Sequence, residues 1–295
     1  MKIVLNKFLH LYSLKWVSME SKFYNSNSDK LILAFAGWGS DENVFSHLKN
    51  GIYDIIVCYN YTNIKPNYCL NINCSGNGVI QEKCPFYNTF KRYKEIYVVA
   101  WGTGVWMASL TFELYLHHLK AGGKFRVLRL YKKLKKCIAI NGTLFPISNT
   151  WGLSQKMFNN TIEGFREDVA ANLTSATSPR LEKFNRKMCG TKAIYQRYMA
   201  QAPQRGLEDL LNELVAIKEK FTITNAIFWN RVIIGTKDTI IPAKHQTRFW
   251  TDYDLGTDRS GRLASISGSF SIEYLEAPHY PFFMWESWDD IIGRD

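Results

Sequence analysis

The chain has no uninterrupted apolar stretch of the length a membrane-spanning helix needs, about 20 residues; its apolar runs are short or broken by charged residues. This argues against a membrane protein. Met1 to Val17 mixes apolar residues with Lys2, Lys7, His10 and Lys15, which denies it the continuous core of a signal peptide. It reads as an added amphipathic helix, or as residues upstream of a true start at Met19. Cysteine pairs at metal or redox spacing are missing too. Cys58, Cys69, Cys74, Cys84, Cys137 and Cys189 form no Cys-x-x-Cys, and no histidine stands near the three close ones. That argues against a structural zinc site, and in a chain this long with no secretory signal the cysteines read as reduced thiols of a cytoplasmic protein. No zinc-finger spacing and no RNP-type aromatic motif occurs, so a nucleic-acid partner is not expected. Acidic residues are in deficit, 26 against 37 basic, which gives a net charge of +11. Such a surface suits an anionic partner.

What is present is a rhythm of apolar runs ending in glycine turns. Leu31–Ala36, Tyr53–Tyr59, Ile96–Ala100, Cys137–Ile140, Val232–Ile234 and Ser271–Leu275 read as six strands. The first five are apolar on both sides, which a strand needs only when both faces of its sheet are covered. Helical patterns lie between them: a segment from Asp41 capped by Ser40, then Val105–Leu119, Leu207–Lys220 and Pro242–Trp250. The alternation predicts an α/β fold with a mostly parallel sheet and helices on both faces. From Trp151 to Phe221 helical stretches continue without a strand. The expected organisation is an N-terminal extension over 1–22, a core over 23–150 and 222–295, and a helical cap over 151–221. Asn71–Tyr87 and Asp254–Ser269 read as surface loops.

Three turns follow strands at one edge of this sheet: Gly37-Trp38-Gly39, Gly102-Thr103-Gly104 and Thr236-Lys237-Asp238, with His279 after the last strand. Small-residue elbow, then Asp, then His is the chain order of an α/β-hydrolase triad. In that arrangement Asp238 orients His279, His279 is the general base, and backbone N–H groups of Trp38 and Thr103 face a developing oxyanion. The bland alternatives are a tight turn at Gly37, a helix N-cap at Asp238 and a structural His279.

The stretches FAGWGSDENVFSHL (Phe35–Leu48), VAWGTGVW (Val99–Trp106), AINGTLFPI (Ala139–Ile147), KMCGTKAIYQRY (Lys187–Tyr198), IIGTKDTIIPAKHQTRFW (Ile233–Trp250) and EAPHYPFF (Glu276–Phe283) resemble the BioG-type pimeloyl-[acyl-carrier protein] methyl ester esterases. The resemblance implies an α/β-hydrolase fold and hydrolysis of a carrier-bound methyl ester in biotin synthesis, without cofactor or metal, by a monomer. It implies His279 as base, Asp238 as its orienter, and Trp38 and Thr103 as the oxyanion hole. The family elbow reads Ala-Trp-Ser-x-Gly-Val, whereas here it reads Ala100-Trp101-Gly102-Thr103-Gly104-Val105. Gly102 stands at the nucleophile position, and glycine has no atom to acylate. The sequence therefore reads as an inactivated form, engineered or natural, in preference to one with Thr103 as a substitute nucleophile.

An apolar tunnel lined by Gly37, Trp101, Phe145 and Phe158 is expected to hold the acyl chain. Acyl-carrier proteins are acidic, so basic residues near the crevice are candidate docking contacts: Arg126, Arg129, Lys132 and Lys133 in the run before the fourth strand, and Arg186 and Arg197 in the cap. The alternative for the run is a solvated helix face. Rival functions are a non-catalytic binder of acyl carrier protein and a general thioesterase.

Overall fold

The computed structural model describes residues 19–63, 90–121, 124–224, 229–254 and 271–293, with the side chains of 114–128 and of 253–254 left aside. Seven strands form one sheet: β1 (Glu20–Tyr24), β2 (Lys30–Phe35), β3 (Asp54–Tyr59), β4 (Glu95–Trp101), β5 (Leu134–Ile140), β6 (Arg231–Gly235) and β7 (Ser271–Leu275). Their spatial order is β1-β3-β2-β4-β5-β6-β7, parallel throughout except for β1 against β3. All six expected strands are present. β1 is an addition. Its residues are half-exposed and alternate too weakly to stand out in sequence, yet they pair fully with β3. The core therefore begins before residue 23, and an extension ending at 22 would cut this strand in two.

The continuous apolar runs are explained by two cores, one on each face. Leu31, Leu33 and Phe35 of β2 enter one; Ile32, Ala34 and Ala36 enter the other. Helices α1 (Thr103–Ala121) and α2 (Lys124–Lys133) lie between β4 and β5. α3 (Gln155–Ala170), α4 (Pro179–Cys189), α5 (Lys192–Met199) and α6 (Leu207–Lys220) make the strand-free insertion. Ser154, Ser178 and Thr191 cap three of these with side-chain oxygens. α7 (Ala243–Asp254) and α8 (Trp288–Ile292) complete the core. After β2 the chain forms a 3-10 turn over Glu42–Phe45 rather than a longer α-helix. Its cap is Asp41, not Ser40, and the Asp41 carboxylate accepts from the Asn43 N–H.

The topology also relocates part of the basic run. α2 ends at Lys133 and β5 starts at Leu134, so this end of the helix sits where β5 enters the sheet. The turns after β2, β4 and β6 lie at the opposite edge. Seven residues of strand span roughly 23 Å, so Lys132 and Lys133 cannot rim a crevice there. Lys133 donates instead to the carbonyls of Phe90 (2.7 Å) and Lys91 (3.2 Å), tying the helix end to the approach to β4. Arg129 is exposed on the same helix, as is Lys132, and the side chain of Arg126 lies outside the described residues. Cys58, Cys137 and Cys189 are buried free thiols, and burial raises the pKa of each. Residues 1–18, Cys69, Cys74 and Cys84, and the expected loops at Asn71–Tyr87 and, beyond its first residue, Asp254–Ser269, lie outside the described residues.

Candidate active site

The chain reverses direction across the sheet at β2: β3 lies on one side of it and β4 on the other. Loops leaving two such strands diverge and open a crevice between them. Register sets what faces what. Phe35 pairs with Ala100, so Gly37, two residues on, stands level with Gly102. A Cβ built on Gly102 would lie 3.6 Å from the Gly37 Cα and 3.2 Å from the His279 Nε2. Gly102 has φ +58, the left-handed region in which a side chain is strained. This is the geometry of a nucleophile elbow, held by Gly102 N–H donating to the Ile140 carbonyl at 3.0 Å. Its neighbours must be small. A Cβ on Gly104 would meet the Phe35 carbonyl oxygen at 2.3 Å, and one on Gly142 would meet that of Gly102 at 2.3 Å.

His279 is buried, 5% exposed. Its Nδ1 donates to the Asp238 Oδ2 at 2.8 Å, leaving Nε2 toward the elbow. Asp238 is buried as well, and its other oxygen accepts from the N–H groups of Ile240 (2.8 Å) and Ile241 (3.1 Å). One side chain thus caps a turn with Oδ1, as the bland reading of Asp238 expects, and holds the His279 imidazole with Oδ2. The backbone of His279 is fixed by two donors to its carbonyl, Trp101 Nε1 at 2.7 Å and Asn141 Nδ2 at 3.0 Å.

The N–H of Thr103 is at the first position of α1, beyond the reach of the helix ladder. Trp38 lies in the loop after β2. Its indole Nε1 donates to the Leu210 carbonyl at 3.0 Å, and its ring meets Phe165 and Phe184 edge-on. Both residues line a cavity of about 450 Å³ whose wall also includes Trp101, Phe158, Phe184, Leu214 and His279. Arg180, Lys183 and Lys187 of α4 contribute cationic groups to the same wall. Of the residues expected to contact the acyl chain, Trp101 and Phe158 line the cavity. Gly37 lies behind Trp101, where a Cβ would press the indole at 3.1 Å. Phe145 is not among the lining residues: its ring packs on Trp151, Phe221 and Phe249, because the chain after β5 turns toward α7. Arg186 pairs with Glu182 and stacks over Tyr195, and Arg197 stacks over Phe283, both on the cap. Among the described residues no group of His, Cys, Asp and Glu could hold a metal ion, and no helix is long and apolar enough to cross a membrane.

Three supporting residues carried no signal in the sequence. Gln246, on α7 and fully buried, donates to the same Asp238 Oδ2 at 2.8 Å. Asn141 accepts from the Gly235 N–H at 2.6 Å while holding His279. Glu213 reaches the loop of Trp38 from α6. A lone polar residue in a helix or turn looks the same whether it faces water or a buried carboxylate, so no pattern could have found them.

The chain is similar to known proteins in sequence and in fold. The model of the family described as pimeloyl-ACP methyl esterase BioG matches residues 19–75 and 83–259. A malonyl-[acyl-carrier protein] O-methyltransferase of Bacteroides fragilis is 34% identical over 224 residues, 75% of this chain; the chain spans about a third (36%) of that relative. The crystal structure of BioG from Haemophilus influenzae superposes with a TM-score of 0.64 at 25% identity, covering 93% of this chain and all of that one. A bromoperoxidase from Bacillus anthracis shares the fold, with a TM-score of 0.51 at 12% identity and 89% of each chain covered. An α/β-hydrolase sheet, an elbow facing a buried Asp–His pair, and a family match over most of its length together show that this chain belongs to the BioG family of pimeloyl-ACP methyl esterases, with glycine at position 102.

Proposed function

We propose that this chain hydrolyses the methyl ester of an acyl chain carried on acyl-carrier protein, with water rather than a side chain as the attacking nucleophile. The observation that carries the reading is the buried Asp238–His279 pair, whose Nε2 faces the side-chain-less Gly102 at the floor of an apolar cavity. Trp101, Phe158 and Phe184 hold the acyl chain. The ester carbonyl oxygen takes the N–H groups of Trp38 and Thr103. Glycine leaves the approach to Nε2 open to a water, which His279 deprotonates as its oxygen adds to the carbonyl carbon. The negative charge passes to the carbonyl oxygen in the oxyanion hole. On collapse the C–OCH3 bond breaks, the imidazolium returns the proton to the departing oxygen, and methanol and the free acid leave. Asp238 keeps the imidazole in the correct tautomer. The cationic residues of α4, with Arg186 and Arg197 on the cap, take the place of α2 as the docking face for an acidic carrier protein. The reaction needs no cofactor and suits a monomer in the cytoplasm.

The test compares three proteins on an acyl-carrier methyl ester. Wild type should turn over slowly and give no labelling by a fluorophosphonate. His279→Ala should lose that turnover. Gly102→Ser should gain rate by about three orders of magnitude or more, and become labelled. Equal rates for wild type and His279→Ala would remove the catalytic claim and leave the chain as a binder of carrier-linked acyl groups.

A further inference from the structure

Four hydrogen bonds join the loop that carries Trp38 to the strand-free insertion. Trp38 Nε1 donates to the Leu210 carbonyl at 3.0 Å, Gly39 N–H to Glu213 Oε2 at 3.3 Å, Arg205 to the Ser40 carbonyl at 3.3 Å, and Gln204 N–H to Asp41 Oδ2 at 2.6 Å. Glu213 is the centre of this set. Its side chain is 0% exposed. Besides Gly39 it accepts from Arg205 at 2.6 Å and, with its second oxygen, from the Tyr61 N–H at 2.9 Å. One carboxylate thus joins the loop after β2, the turn after β3 and the cap. Burying a charge is costly unless it is fully paired. Burial pushes the Glu213 pKa up, against the opposing pull of Arg205 and the two backbone donors. A hydrophobic residue would pack α6 against the sheet without that cost. What an apolar residue could not supply is an acceptor for the Gly39 N–H, and Gly39 sits at φ +78, one residue beyond Trp38. The Gly39 N–H lies in the Trp38–Gly39 peptide, next in the chain to the Gly37–Trp38 peptide that carries the Trp38 N–H.

We infer that Glu213 is a positioning residue for the oxyanion hole: by holding the Gly39 amide it aims the Trp38 N–H into the cavity, so the cap, not the core alone, sets the transition-state donor. Arg205 pairs with the carboxylate at 2.6 Å and is in turn paired with Asp209 at 2.7 Å. The inference rests on the reading of Trp38 as an oxyanion donor.

Calorimetric affinities can test both without any turnover. The probes are a neutral acyl methyl ester and the anionic, tetrahedral methyl phosphonate of the same acyl chain, measured on the wild-type protein and on Glu213→Gln and Glu213→Asp. Gln keeps the volume but offers one acceptor oxygen to the three donors Gly39, Arg205 and Tyr61, so it cannot hold both loops at once. In Glu213→Gln the phosphonate should bind about 10- to 100-fold more weakly while the ester is unchanged. Glu213→Asp should recover part of the loss. Amide hydrogen exchange at Trp38 and Gly39 should rise in Glu213→Gln with β2 and β4 unaffected. Parallel weakening of both probes, or no weakening, would overturn the assignment and leave Glu213 as a packing element. A wild-type protein that binds phosphonate no better than ester would sink the oxyanion reading itself, and the inference with it, before any variant is compared.

Discussion

Gly102 occupies a left-handed backbone position that favours glycine, while the chemistry of the fold favours a side chain there. The two demands conflict, and in this chain the backbone's preference is met. Restoring serine should therefore have opposite effects on two measurements. Gly102→Ser places a Cβ at φ +58 and 3.2 Å from the His279 Nε2, so the ring must shift by a few tenths of an ångström. The expected cost is about 1–2 kcal/mol in unfolding free energy, read by denaturant titration, alongside the gain in ester turnover. A variant that is both more stable and more active would show that the elbow is not strained. Gly102 was singled out in the sequence by the order of the motifs and by the family resemblance. Gln246 and Asn141 were not, because their partners lie at least eight residues away and the contacts exist only once β5, β6 and α7 are assembled.

At the scale of elements, the strand-to-helix joint between β4 and α1 depends on close approach. Gly104 stands where a Cβ would meet the carbonyl oxygens of Phe35 and Ala36 at 2.3 and 2.6 Å. These are backbone atoms at the end of β2, which cannot rotate away as a side chain could. Gly104→Ala should cost about 3 kcal/mol, the upper part of the range for overpacking a well-filled interior. Gly206→Ala is a fitting control, since a Cβ there meets nothing within 4 Å. A Gly104→Ala protein with an unchanged melting midpoint would mean that α1 can lift off the sheet without penalty. The elements themselves were readable: Leu207–Lys220 and Ser271–Leu275 fall on the expected residues. The antiparallel β1 escaped because its residues are half-wet on an edge, and the helix expected after Ser40 is one 3-10 turn, after which the Lys49 backbone pairs with Glu286 and Trp288 of the C-terminal segment.

Across the whole molecule, the cap and the C-terminal segment meet at His47. Its Nε2 donates to the Phe282 carbonyl at 3.0 Å, and its Nδ1 accepts from Gln201 at 3.2 Å. Burial, aided by Arg197, holds its pKa below the ordinary 6.5. The sign follows from linkage. Below pH 6.5 the unfolded chain protonates this imidazole while the folded chain does not, so the stability it contributes is complete above about pH 6.5 and is lost as the pH falls through the folded value. Melting midpoints from pH 7.5 to 5 should therefore drop more steeply for the wild type than for His47→Gln. Parallel slopes would show that His47 titrates alike in both states. The basic surface belongs to this scale too. Net charge was countable from composition, but which basic residues share the crevice edge with His279 was not: α2 and α4 are both basic helices, and only the topology puts one at each end of the strands.

Written in the chain itself are the covered parallel sheet, the order of elbow, Asp and His, a strand-free stretch between β5 and β6, and the glycine at position 102. Each of these is written in local hydrophobic period, in turn chemistry or in residue identity, which a linear chain carries. The tertiary structure alone decided the convergence of His279 on Gly102, the second donor on Asp238, the cavity wall that takes in Phe158 but not Phe145, and the grip of Glu213 on the Trp38 loop. Those depend on the register of neighbouring strands and on where an inserted segment lands. Both are fixed by packing between residues far apart in the chain, and no local pattern encodes them.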